Sequence, residues 1–173
     1  EVDWNAYPGL DLVAGGPPCQ PFSIGGKHRG HEDARDMWPE AIRAVREARP
    51  RAFLFENVRG LARPAFAYYL RWILAQLRHP DMARKVGEDH EQHTSRLEAC
   101  ALSPAYQVIT FQVNAADYGA PQKRHRVIVA GVRSDLMANL EPPAPTHSRD
   151  RLLWDQWVTG DYWRRHGLPQ PAD

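Results

Sequence analysis

Two glycines and two prolines in a row, Gly15-Gly16-Pro17-Pro18, follow directly on the apolar run Leu10-Asp11-Leu12-Val13-Ala14. Glycine weakens a strand and proline has no N–H to continue a ladder, so the run has to stop here as a short buried strand. A stiff turn comes next, and Cys19 is mounted on it. In an open α/β sheet this position is the carboxyl end of a strand, where ligands and catalytic groups collect. Taken alone, a cysteine in such a turn reads as a small buried apolar residue. Chemistry for it has to be argued from the rest of the chain.

Downstream, strand-like and helix-like segments alternate. Residues 24–33 carry Gly25, Gly26, His28, Gly30 and His31 with one apolar anchor, Ile24, which is the composition of a loop expected to be mobile. Over 37–49, Trp38, Ala41, Ile42, Val45 and Ala48 recur at helical spacing, and Pro50 ends the helix. Ala52-Phe53-Leu54-Phe55 reads as a buried parallel strand ahead of Glu56. A second helix is expected over 64–77, with Phe66, Leu70, Ile73, Leu74 and Leu77 on one face.

Residues 78–103 are polar and crowded with charge. His90 and His93 there lack both the His-Glu-x-x-His spacing and a third ligand, so the stretch reads as a solvated surface loop and no metal is expected. Residues 106–113 alternate as a strand and 127–132 form a continuous apolar run, joined through the Ala120-Pro121-Gln122 turn. That pattern predicts a hairpin at the sheet edge. Residues 142–148 form a proline-rich extended linker. Beyond it, Trp154, Trp157, Tyr162 and Trp163 are too many aromatics for a solvated tail and imply packing, against this chain or another. The fold class expected is α/β, a partial doubly wound and mostly parallel sheet with an antiparallel hairpin at its edge.

Length and charge set limits. A chain of 173 residues is one domain by the usual size prior, and a formal net charge of +1 gives no global basic field. Among the 22 basic residues only Lys27, Lys85 and Lys123 are lysines. The arginines suit bidentate contacts to phosphate and base edges, although a GC-rich genome produces the same bias. Cys19 and Cys100 make neither a disulfide framework nor a Cys-x-x-Cys pair. With no secretory pattern and no apolar run of membrane-spanning length, the expected setting is the cytoplasm, where Cys19 stays a free thiol.

Three segments, taken together, carry a resemblance. Gly15-Gly16-Pro17-Pro18-Cys19-Gln20-Pro21-Phe22-Ser23 resembles the catalytic-cysteine motif of the cytosine-C5 DNA methyltransferases. Phe55-Glu56-Asn57-Val58 resembles that family's Glu-Asn-Val motif. Gln122-Lys123-Arg124-His125-Arg126 is similar to its Gln-x-Arg-x-Arg segment, and the order matches. The resemblance covers residues 11–147 and implies a Rossmann-like methyltransferase core that uses S-adenosylmethionine on DNA.

It also implies roles. Cys19 would add as thiolate to C6 of cytosine, because C5 is a poor nucleophile until the ring conjugation is broken. Glu56 would act as the acid near N3, where charge accumulates. Arg124 and Arg126 alternate along an extended segment and so share a side. They would hold the cytosine O2, the carboxylate and neighbouring phosphates. Pro17 and Pro18 would line the pocket of the flipped base, with the Pro17 carbonyl open to the exocyclic amine. Asn57 would orient the turn and Gln122 would brace it. Gln20 would contact substrate, and Ser23, with Lys27 and Arg29, would close over the strand. Trp38 would touch the donor.

The departures from the family pattern matter equally. No Gly-rich donor-binding turn precedes Cys19, and only the start of a target-recognition region, at Thr146-His147, is visible. The expected division is a catalytic domain over 1–147, incomplete at its N-terminus, and a start of target recognition or packing tail over 148–173. The expected activity is methyl transfer to C5 of cytosine in DNA through a covalent Cys19 intermediate, once missing segments or a second chain complete it. An RNA cytosine methyltransferase of the same fold and a non-catalytic nucleic-acid-binding or scaffold subunit are the alternatives. Thiol-dependent hydrolysis lacks a positioned histidine base.

Overall fold

A computed structural model describes residues 2–18, 36–136 and 138–171. Cys19, Gln20, Ser23, Lys27 and Arg29, with the loop expected over 24–33, lie outside the described residues. The chain divides into two compact units, one of residues 1–112 and 126–142, the other of residues 113–125 and 143–173. The tip of the expected hairpin therefore groups with the C-terminal residues.

The first unit is built on the strands β1 (Leu12–Gly15) and β2 (Ala52–Val58), the bulk of β3 (Tyr106–Asn114) and of β4 (His125–Arg133). They form a sheet in the order β1-β2-β4-β3. β1 runs parallel to β2 with Gly15 opposite Phe55, whereas β4 runs antiparallel to β2 with Arg126 opposite Val58. The sheet is thus mixed; a mostly parallel one would need a crossover before β4. Residues 115–124 are too few for such a crossover. Ala115 N–H donates to the Arg124 carbonyl at 3.0 Å and Ser134 N–H to the Ala105 carbonyl at 2.9 Å, the two ends of the expected hairpin.

One face of this sheet is covered by helices. α1 (Trp38–Ala48) starts after Asp36, whose carboxylate accepts from Trp38 N–H, and has Pro39 in its first turn, where a missing donor costs nothing. It ends with Arg49 in the left-handed region at φ 48°, ahead of Pro50. α2 (Ala67–Arg78) follows a single 3-10 turn over Pro64–Phe66, so the expected helix begins three residues later than its proline. Trp38, Ile42, Val45, Tyr69, Ile73 and Leu77 close on Val13, Phe53, Phe55, Tyr106, Val108 and Val129. Phe53 and Phe55, two residues apart and so on one face, stack at 5.5 Å between ring centroids.

Residues 78–103 are not a plain solvated loop. They contain α3 (His90–Glu98), opened by a capping box in which Asp89 accepts from Gln92 N–H and the Gln92 side chain accepts from Asp89 N–H. His93 is fully buried, accepting from Trp72 Nε1 at 3.1 Å and lying 2.7 Å from the Met82 carbonyl. His90 packs its ring edge-on to Trp72 at 4.5 Å. Both histidines are packing residues, and no group of metal-ligating side chains occurs among the described residues. No helix among the described residues is long and apolar enough to cross a membrane.

The second unit carries α4 (Arg149–Trp157) and α5 (Asp161–His166). Among its tail aromatics Trp163 meets Trp157 at 6.1 Å and Tyr162 at 4.9 Å between ring centroids, whereas Trp154 and Trp157 are each about half exposed. Asp155 is buried between Arg151 and Arg165.

Candidate active site

The period of two along β2 decides where its motif residues point. Phe53, Phe55 and Asn57 face the helices, and Leu54, Glu56 and Val58 face the other way. Asn57 is therefore buried, 3% exposed, although it is polar. Its side chain meets that demand locally. Nδ2 donates to the Pro17 carbonyl at 3.1 Å and Oδ1 accepts from Val58 N–H at 2.8 Å. A buried amide left unpaired would cost on the order of 1–3 kcal/mol, so this bond ties the turn after β1 to the end of β2. The Pro17 carbonyl, expected to receive the amine of a flipped base, is thus already an acceptor. A carbonyl oxygen has a second lone pair that can accept one more donor.

Glu56 stands on the opposite face, beside the same turn. A Cβ built on Gly16 would lie 3.6 Å from Glu56 Oε2 and 3.7 Å from its carbonyl oxygen. Arg126, opposite Val58 on β4, is the diagonal neighbour of Glu56 on that face. Its Nε donates to Glu56 Oε1 in a close ion pair, with the guanidinium mostly covered and the carboxylate 40% exposed. A guanidinium that is itself mostly covered holds the carboxylate in one place, beside the turn that follows β1. Residues separated by 70 positions thus form one acidic–basic pair next to the rigid turn that leads to Cys19.

Pro17 is buried and Pro18 exposed. Trp38 has no exposed surface; it is a core residue, edge-on to Phe55 at 5.7 Å, and offers a methyl donor no contact face. Gln122 and Arg124 are exposed within the second unit. Arg124 N–H donates there to Asn114 Oδ1 at 3.0 Å. Asn114 could not be singled out from sequence, because an asparagine closing a strand carries no motif of its own.

A model of the C-5 cytosine-specific DNA methylase family matches residues 1–155. The chain belongs to that family. It is 34% identical over 183 aligned residues to the type II methyltransferase M.NgoMIV of Neisseria gonorrhoeae, covering 94% of this chain and 51% of that protein. It is 37% identical over 139 residues to M.AquIA of Picosynechococcus, covering 80% and 49%. With M.NaeI of Lentzea aerocolonigenes the identity is 31% over 163 residues, covering 90% and 34%. The chain thus spans between a third and a half of the length of these relatives.

Proposed function

We propose that this chain supplies the cytosine-activating half of a DNA cytosine-C5 methyltransferase. The observation that carries the reading is the Glu56–Arg126 pair, seated beside the Gly16-Pro17 turn that leads to Cys19. In this reading the Cys19 thiolate forms a bond to C6 of a flipped cytosine, and the electrons of the C5–C6 double bond move toward C5 and the N3 side of the ring. Glu56 holds the proton at N3 that offsets this charge, and Arg126 keeps its carboxyl group in place. After C5 has been substituted, loss of its hydrogen and cleavage of the S–C6 bond restore the ring. Asn57 orients the turn, Pro17 and Pro18 line the base pocket, Gln122 braces its turn, and Arg124 holds the cytosine O2 and neighbouring phosphates.

The family's methyl donor is S-adenosylmethionine, and the described residues do not fit it. Trp38 is closed in the core, and residues 2–11, ahead of β1, contain no glycine-rich turn. The donor is therefore assigned to segments other than these, on the same polypeptide or on a second chain. A reducing compartment such as the cytoplasm suits a working thiolate.

The test is covalent capture. DNA carrying 5-fluorocytosine, offered to the complete enzyme with donor, should trap an adduct, because fluorine at C5 cannot leave as a proton does. Cys19→Ala should abolish the adduct and Cys100→Ala should not. An adduct that needs Cys100 and not Cys19 would overturn the assignment.

A further inference from the structure

The second unit contains an arrangement of backbone bonds that the proposed chemistry does not explain. Residues 143–147 return to lie on the tip between β3 and β4. Thr146 N–H and His147 N–H both donate to the Asp117 carbonyl, at 3.0 and 2.9 Å, and Tyr118 Oη donates to the Pro143 carbonyl at 2.9 Å. Gly119 is at φ 92°, and a Cβ there would come within 2.9 Å of His147 Cε1 and 3.4 Å of both ring nitrogens. The imidazole therefore sits with its Cε1 corner against a residue that has neither a side chain nor a penalty for that backbone.

The contact does not stop at the tip. Asp117 Oδ1 accepts from Asn114 Nδ2 at 3.3 Å, and Asn114 Oδ1 accepts from Arg124 N–H at 3.0 Å. Through Asp117, whose backbone carbonyl holds the strap and whose carboxylate holds Asn114, residues 146–147 are thus linked to the backbone of Arg124. Such networks behave as units, since each bond orients the next.

We infer that residues 143–147 are a positioning strap, with Gly119 and His147 as positioning residues, that locks the segment carrying Gln122, Lys123 and Arg124 to the chain entering α4. The inference rests on the proposed reading only where it gives Arg124 a DNA contact. Its consequence is that whatever the C-terminal helices engage is felt at the arginine segment through backbone geometry.

Amide hydrogen exchange on the full polypeptide tests this without any activity. In His147→Ala, a truncation at an exposed position, the amides of residues 146, 147 and 124 should all exchange about tenfold faster, the effect of losing one or two hydrogen bonds. Val127 and Val129, in the core part of β4, should be unchanged. Gly119→Ala should do the same, and His147→Phe, which keeps an aromatic ring against Gly119, should restore slow exchange. If 146 and 147 accelerate while 124 does not, or if nothing changes, the strap is not coupled and the inference fails. In the methylating enzyme His147→Ala should raise the KM for DNA about tenfold and move kcat less than twofold, because it repositions a binding arginine and leaves the chemistry alone. An enzyme that does not methylate DNA would sink the proposed function and leave the exchange result standing.

Discussion

Glu56 and Asn57 are neighbours in sequence and work on opposite faces of one strand. Asn57 is buried and ties β2 to the Pro17 carbonyl; Glu56 is half-exposed and bound to Arg126. Substitutions at the two should therefore fail differently. Glu56→Gln removes the transferable proton and the charge while nearly preserving shape. In the complete enzyme its turnover should drop on the order of 10²–10⁴-fold, the usual contribution of a positioned acid, with little change in DNA affinity. Single-turnover methylation with a DNA-binding titration checks this, and near-normal turnover would exclude Glu56 as the acid. Asn57→Ala leaves the folded-state acceptor at Pro17 unpaired and should instead lower the unfolding midpoint.

At the scale of elements, close approach and a buried histidine set the sensitivities. β4 passes β2 with Gly131 opposite Phe53, and a Cβ at Gly131 would meet Phe53 Cζ at 2.2 Å. Phe53 is wedged against Phe55 and Tyr106 and has nowhere to go. Gly131→Ala should destabilise the first unit by about 1–3 kcal/mol or more, as overpacked cores do, and urea unfolding would show it. α3 is held through His93, whose burial pushes its pKa below the ordinary 6.5; Arg84 and Arg96 push the same way, and Glu88 and the Met82 carbonyl oppose them. Above pH 6.5 neither state carries the proton. Below it the unfolded chain binds one that the folded chain refuses, so stability falls as pH drops from 6.5 toward the depressed native value. The urea midpoint should decline over that window, and His93→Gln should flatten the decline. An unchanged slope in that variant would remove His93 as its source.

For the whole molecule, the telling feature is the sheet face that carries Glu56 and Arg126. Helices cover the opposite face, while on this one Leu12 is 53% and Leu54 43% exposed, and β1 is an edge strand among the described residues. Apolar side chains beside an open edge invite another layer or another chain. The 173-residue chain alone should bind S-adenosylmethionine weakly or not at all and should tend to self-associate. Calorimetric titration decides the first point: micromolar binding by this chain alone would mean that it holds the donor after all.

Much of this was written in the primary structure. The Gly-Gly-Pro-Pro stop, the Phe53–Phe55 run and the 3.6-residue period around Trp38, Ile42 and Val45 depend on backbone chemistry and local periodicity, which need no partner to be read. The three motifs likewise pointed to Glu56, Asn57 and Arg126. Distance in sequence hid the rest. That Arg126 answers Glu56 across 70 residues depends on the antiparallel ladder between β2 and β4. A polar stretch became α3 because Trp72, on another helix, gives His93 a buried partner. Trp38 belongs to the core because Phe55 is there to receive it. Local pattern chooses elements and motif residues, whereas pairing between distant elements decides which side chains meet, and only the folded chain makes those pairings.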